Sequence, residues 1–116
     1  ITFGAALASH LGARVAYAKT SRETAVEEFV EARDRLASGI ELTYYLPAMA
    51  LSEGDRVLVV DDLVRSGETQ TLLLDIAERA GATVVGVAAL IAAGDEGLSR
   101  ARARVDAPVA ALVGTE

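Results

Sequence analysis

Two adjacent carboxylates, Asp61 and Asp62, followed closely by Ser66, Gly67 and Thr69, are the residues of this chain best suited to chemistry. Side by side, two carboxylates repel one another, and hydroxyls, amides, cations or a bound Mg²⁺ would offset that cost. A ligand with vicinal hydroxyls supplies the same compensation. The next residues have the opposite character: Ser66 and Thr69 hydroxyls, and backbone N–H groups around Gly67 that open onto a helical pattern. Such a nest favours phosphate through hydrogen bonds and the helix dipole. An acidic pair for hydroxyls and a nest for phosphate, separated by a short loop, match a ribose 5-phosphate in size.

The elements around these residues place them at a sheet edge. Val57-Leu58-Val59-Val60 is a run of branched apolar residues too short for a helix with a buried face, and it suits a strand covered on both sides. Ligands of open α/β sheets bind beyond the carboxyl ends of such strands, where Asp61 and Asp62 would then lie. Downstream, Leu72, Leu73, Ile76, Ala77 and Ala80 form a helical face stopped by Gly81. Thr83 to Ile91 reads as a second apolar strand, Leu98 to Val105 as a short helix and Val109 to Val113 as a last strand. Arg100, Arg102 and Arg104 on that short helix read as a solvated face.

Upstream, Phe3, Leu7 and Leu11 predict a helix from Ile1 to Leu11, with His10 a helix-end feature rather than a catalyst. Val15 to Ala18 reads as a short strand that puts Lys19 at its carboxyl end. Thr20-Ser21-Arg22-Glu23 fits a capping box. It would open a charged helix reaching Ser38-Gly39, with Ala25, Val26, Phe29, Val30 and Leu36 on one face. The plain reading is an exposed, salt-bridged helix; the sharper one is a flap over the site. Ile40 to Leu46 reads as a strand ended by Pro47, and Ser52 to Asp55 as a turn. Alternating strands and helices predict an α/β fold of three layers, a mostly parallel central sheet flanked by helices.

With 116 residues, 52% of them hydrophobic, residues 1–116 suit a single domain with a real core. The chain has no cysteine and one histidine, so thiolate chemistry and a histidine metal cluster are excluded. A net charge of −6 argues against nucleic acid as a partner. No apolar run approaches the roughly 20 residues of a membrane span, which makes a cytoplasmic location the expectation. The sequence starts at Ile1 inside a helical pattern, as expected of a piece truncated at the N-terminus and lacking at least one upstream strand.

V-L-V-V-D-D-L-V-R-S-G-E-T, Val57 to Thr69, resembles the phosphoribosyl-pyrophosphate motif of the type I phosphoribosyltransferases. The likeness extends to Lys19 after the first helix and to the turns Gly54-Asp55-Arg56 and Ala80-Gly81-Ala82. From Val84 to Val113 the element lengths are similar to those of adenine-type and archaeal purine members. The resemblance implies that Asp61 and Asp62 hold the ribose 2- and 3-hydroxyls. Arg65, Ser66, Gly67, Glu68 and Thr69 would wrap the 5-phosphate, and Lys19 would help bind pyrophosphate. It also implies departures. Arg65 stands where many members have Ala or Thr and where 6-oxopurine enzymes carry an aspartate. Glu68 adds a negative charge beside the loop, and its side chain is expected to point to solvent.

The implied reaction is transfer of ribose 5-phosphate from phosphoribosyl pyrophosphate to a nucleobase, a purine by preference, with release of pyrophosphate. Asp61, Asp62 and Lys19 would be the catalytic groups. Mg²⁺ would be carried by pyrophosphate, with Asp61 or Asp62 within reach of it, and a homodimer is the expected assembly. The alternative is a regulatory domain that senses phosphoribosyl pyrophosphate without catalysis.

Overall fold

Residues 3–115 are described by the structure, a computed structural model. The start of the first predicted helix, at Ile1, lies outside them. In chain order the elements are α1 (Phe3–Leu11), β1 (Phe29–Arg35), β2 (Glu41–Pro47), β3 (Arg56–Val64), α2 (Glu68–Arg79), β4 (Thr83–Ala93), α3 (Glu96–Arg104) and β5 (Val109–Thr115). A short 3₁₀ turn, Ala48–Ala50, follows β2.

The apolar runs of the second half make a parallel sheet in the order β3-β4-β5. Burial is deepest on one face, and Leu58 and Val85 stay 37% exposed, so the strand expected to be covered on both sides is covered unequally. Val59, Val87 and Val109 point to one face, where Leu74 of α2 and Ala101 of α3 close a core, with Leu73 and Leu98 at its margin. On the other face Val60 lies against α1 at Gly4. The expected three layers are therefore present, α1 on one side and α2 with α3 on the other.

α2 also has an outer face. Leu72 and Ile76 pack with Ala32 of β1 and Leu46 of β2, so a second core seats an antiparallel β1–β2 hairpin on the helix. Leu72 and Leu74 are fully buried, one in each core. Burying one such side chain stabilises by about 1.5–3 kcal/mol.

Two expectations for the first half are overturned. The charged segment from Glu23 to Ser38 is not a helix. Its apolar residues at helical spacing are used in β1, where Val30 faces Leu46 and Ala32 faces Tyr44 across the ladder. Tertiary pairing with β2 and burial of Ala32 outweigh a local pattern that suits both periods. Glu23 of the supposed capping box pairs instead with Lys19, Nζ to Oε1 3.0 Å. The salt-bridged character survives in the ribbon, as Arg22 and Arg33 approach Glu31 at 3.2 and 3.8 Å. Val15 to Ala18 is not a strand either: Val15 and Tyr17 are 42% and 49% exposed, and the segment joins a ladder only at the Lys19–Tyr45 bridge. Four apolar residues without a neighbouring strand cannot satisfy a ladder.

The remaining boundaries move by a few residues. β3 runs to Val64 rather than stopping at Val60, because β4 continues to Ala93 and pairs Leu63 with Ile91 and Val64 with Ala92. α3 begins at Glu96, two residues before Leu98. That first turn is set by a close approach. A Cβ on Gly97 would overlap a methyl of the buried Val64 and come 2.5 Å from the Arg65 carbonyl oxygen. Only glycine lets α3 sit this near the end of β3.

Gly97→Ala is therefore expected to destabilise the protein by about 1–3 kcal/mol through overpacking, read as a lower midpoint of urea unfolding. An unchanged midpoint would show that the turn relaxes freely.

Candidate functional site

The carboxyl end of β3, the connection Arg65–Gly67 and the first turn of α2 form one continuous surface. Gly67 is the N-cap of α2, with φ of 85°, a left-handed conformation that side-chain-bearing residues rarely adopt. Space is short as well as conformation: a Cβ there would lie 3.0 Å from the Gly97 carbonyl oxygen and 3.3 Å from Cβ of Arg100. Thr71 closes the first turn, its N–H and its hydroxyl both donating to the Gly67 carbonyl at 3.0 and 2.9 Å. The N–H groups before Thr71 have no intrahelical acceptor by helix geometry; that of Glu68 donates to the Ser66 hydroxyl at 3.3 Å. This is the donor arrangement an anion requires.

The structure brings together seven of the eight residues singled out from the sequence. Arg65, Ser66, Gly67, Glu68 and Thr69 line one side of a pocket of about 280 Å³ with Gln70, facing Leu36, Leu42 and Leu63. Leu36 and Leu42 come from the tip and second strand of the hairpin, so the hairpin roofs the loop. Asp61 and Asp62 stand just upstream, inside β3 rather than after it. Strand alternation sends their side chains to opposite faces. Asp61 is half-buried toward α2, and Asp62 is exposed. Lys19 is bonded elsewhere: its backbone pairs with Tyr45 at 2.9 and 2.7 Å and its ammonium with Glu23.

Asp61 is the electrostatic centre of this group. One of its oxygens accepts the Asp62 N–H at 2.8 Å and the other accepts Nε2 of Gln70 at 2.8 Å. Burial pushes its pKa above the ordinary 3.8, and the Asp62 charge adds to the rise; the bonds from the Asp62 N–H and Gln70 oppose it.

Glu68 corrects an expectation. Its side chain does not point to solvent but accepts the Ser66 hydroxyl at 3.0 Å through one oxygen and the Ala37 N–H at 3.1 Å through the other. The short turn between β1 and β2 offers the Ala37 N–H, and Glu68 reaches it from the first turn of α2, so the charge is held between the helix mouth and the hairpin.

Two residues passed over in the sequence belong here. Gln70 is 2% exposed and is the buried polar side chain of the core among the described residues. Its signal was a polar residue on the helical face that also carries Leu73 and Leu74, in the helix that follows the acidic pair and the loop. Arg100 packs its Cβ beside Gly67. The other two arginines of α3 are committed to structure, Arg102 to the Val109 carbonyl at 3.1 Å and Arg104 to Asp75 and Glu78. Among the described residues no group of three or more His, Cys, Asp or Glu gathers as a metal site. Asp61 and Asp62 are hard oxygen donors of the kind that share Mg²⁺ with a ligand's phosphates.

Two outcomes test this geometry. A carboxyl whose pKa is raised on folding stabilises most when protonated, below its unfolded value, and that contribution is lost as pH rises through the folded value. The stability difference between Asp61→Asn and the parent should therefore shift in the variant's favour as pH rises from about 3.5 to 7, on top of a constant cost for the hydrogen bond that an amide with one acceptor oxygen cannot keep. A difference independent of pH would contradict it. Glu68→Ala should speed hydrogen exchange of the Ala37 amide about fivefold or more, the loss of roughly 1 kcal/mol of hydrogen bonding; unaltered exchange would mean that the tip is held by other contacts.

Comparison with known proteins agrees with this architecture. A family model described as phosphoribosyl transferase domain matches residues 1–107. Adenine phosphoribosyltransferase of Maricaulis maris is 42% identical over 67 residues, 58% of this chain and 38% of that protein. Hypoxanthine/guanine phosphoribosyltransferase of Methanopyrus kandleri is 35% identical over 95 residues, 82% of this chain and 48% of its own length. The crystal structure of adenine phosphoribosyltransferase from Thermoanaerobacter pseudethanolicus superimposes with a TM-score of 0.81 at 25% identity, over 97% of this chain and 63% of that one. The chain thus spans less than two thirds of the relatives it matches. With the motif, the parallel sheet and the family model in agreement, the chain belongs to the phosphoribosyl transferase domain family.

Proposed function

We propose that the protein is a phosphoribosyltransferase, a pentosyltransferase that moves ribose 5-phosphate from phosphoribosyl pyrophosphate to a nucleobase and releases pyrophosphate. The observation that carries this reading is the placement of a carboxylate pair on β3 one short loop away from the glycine-capped N-terminus of α2. Relatives named for adenine and for hypoxanthine/guanine support a purine as the acceptor. The regulatory alternative gains nothing from these relatives, each of which is named for a transferase.

In this reading the N–H groups at the mouth of α2 and the Ser66 and Thr69 hydroxyls hold the 5-phosphate, with Arg65 and Arg100 adding positive charge at the rim. Glu68 must yield its bond from Ser66 when phosphate enters, because two anions cannot share one donor set. Asp62, the exposed acid, meets the ribose hydroxyls from solvent, and Asp61 backs it with the oxygen lone pairs left over from its two internal bonds. Asp62 then faces a sugar that becomes positive as its bond to pyrophosphate breaks, and a fixed negative field at that point, with the Asp61 charge behind it, lowers the barrier. No protein nucleophile is needed. Mg²⁺, when bound, would be held by Asp61 or Asp62 together with the ligand's phosphates and would neutralise charge on the departing pyrophosphate. Lys19 serves pyrophosphate in this scheme, exchanging its pairing with Glu23 for the ligand. A homodimer in the cytoplasm, with phosphoribosyl pyrophosphate and a nucleobase as its partners, completes the proposal.

The test is pyrophosphate release by the full-length protein across adenine, guanine, hypoxanthine, xanthine, orotate and uracil. Activity on a purine is expected, and Asp61→Asn combined with Asp62→Asn should lower it by about 10²-fold or more with the fold intact. Silence on every base with ligand binding retained would favour the regulator, and full activity of the double variant would overturn the ribose assignment.

A further inference from the structure

Gln70 does something neither the motif nor the proposed reaction requires. It is the third residue of α2, so its backbone belongs to the helix mouth, where the phosphate is proposed to bind. Its side chain turns back and donates from one nitrogen, Nε2, to Asp61 Oδ2 at 2.8 Å and to the Leu63 carbonyl at 3.4 Å. Both acceptors are on β3, on the hydroxyl side of the site. The amide therefore crosses beneath the loop 65–67 and joins its two ends. At 2% exposure it has no freedom to swing away, and burial makes each of its bonds costly to lose.

The chemistry of the group fits such a role and little else. Leucine would fill the space, as it does at positions 72 and 74, without a polar atom to satisfy. A lysine in its place would neutralise Asp61, and a glutamate would repel it. An amide ties the carboxylate down and leaves its negative charge in place, with lone pairs still open on both oxygens. It also ties the acidic pair on β3 directly to the first turn of α2, across the connection 65–67.

We propose that Gln70 is a positioning residue that sets the distance between the hydroxyl-binding and phosphate-binding halves of the site. The inference rests on the ribose 5-phosphate reading given above. Its effect falls on ligands that must span both halves and spares those that occupy only one. Ribose 5-phosphate needs the correct spacing; inorganic phosphate does not.

The experiment is calorimetric titration of the full-length protein, its Gln70→Met variant and its Gln70→Glu variant with ribose 5-phosphate and, separately, with inorganic phosphate. Met keeps the length and apolar bulk of the side chain but has no donor. Affinity of Gln70→Met for ribose 5-phosphate should fall about tenfold, the worth of a hydrogen bond to a charged group, with phosphate affinity unchanged within twofold. Gln70→Glu should show the same selective loss. In an Asp61→Ala background, Gln70→Met should cost less than twofold more, because the strut then has no charged anchor. Equal losses for both ligands would reduce Gln70 to a stabilising core residue and overturn the proposal. So would tight ribose 5-phosphate binding by both variants. Failure of the unmutated protein to bind ribose 5-phosphate would instead remove the ribose reading itself, and this inference with it.

Discussion

The site depends on how closely α3 can approach the end of β3. Gly97 brings a helix turn against the Val64 side chain and the Arg65 carbonyl, and the Gly97 carbonyl in turn limits what can stand at position 67. Backbone meets backbone at this point with no side chain between. The left-handed turn at Gly67 is thereby held from outside as well as permitted from within. An anion-binding loop works only if its N–H groups already point inward before the ligand arrives, since otherwise binding must supply the ordering. Here the packing of a neighbouring helix does that ordering in advance.

Once the loop is fixed, the electrostatics follow. Asp61 is half-buried, beside another acid, and pushed toward its neutral form. Two internal donors keep it ionisable. This is a strained arrangement in a fold that otherwise satisfies its charges simply, as at Arg104 with Asp75 and Glu78 on α2. Local conflict of that kind is where functional groups are found, because stability alone would not retain it.

The strand, acids, loop and helix from Val57 to Ala80 were legible in the sequence because each is determined by residues adjacent in the chain. A four-residue apolar run, a glycine where φ must be positive and a helical face of leucines need no distant partner to be recognised. The hairpin was not legible for the opposite reason. Phe29 and Val30 lie in β1 only because Leu46 and Pro47 lie opposite them, a pairing across a turn. Their spacing suits a helix equally well. Glu68 shows the same limit on a smaller scale, since its acceptor role depends on the Ala37 N–H, 31 residues away. Gln70 was visible as a letter but not as a bond, because nothing local says that a polar residue on an apolar helical face turns back to the strand before it.

Burial on both sides makes α2 a partition between two compartments. Leu74 faces the sheet, while Leu72 and Ile76 face the hairpin. The buried side chains of the two compartments form separate clusters. The roof of the pocket, contributed by Leu36 and Leu42, can therefore be resized through the outer layer while the floor keeps its register. A descendant of this chain could change which molecules it admits without rebuilding the loop that grips them.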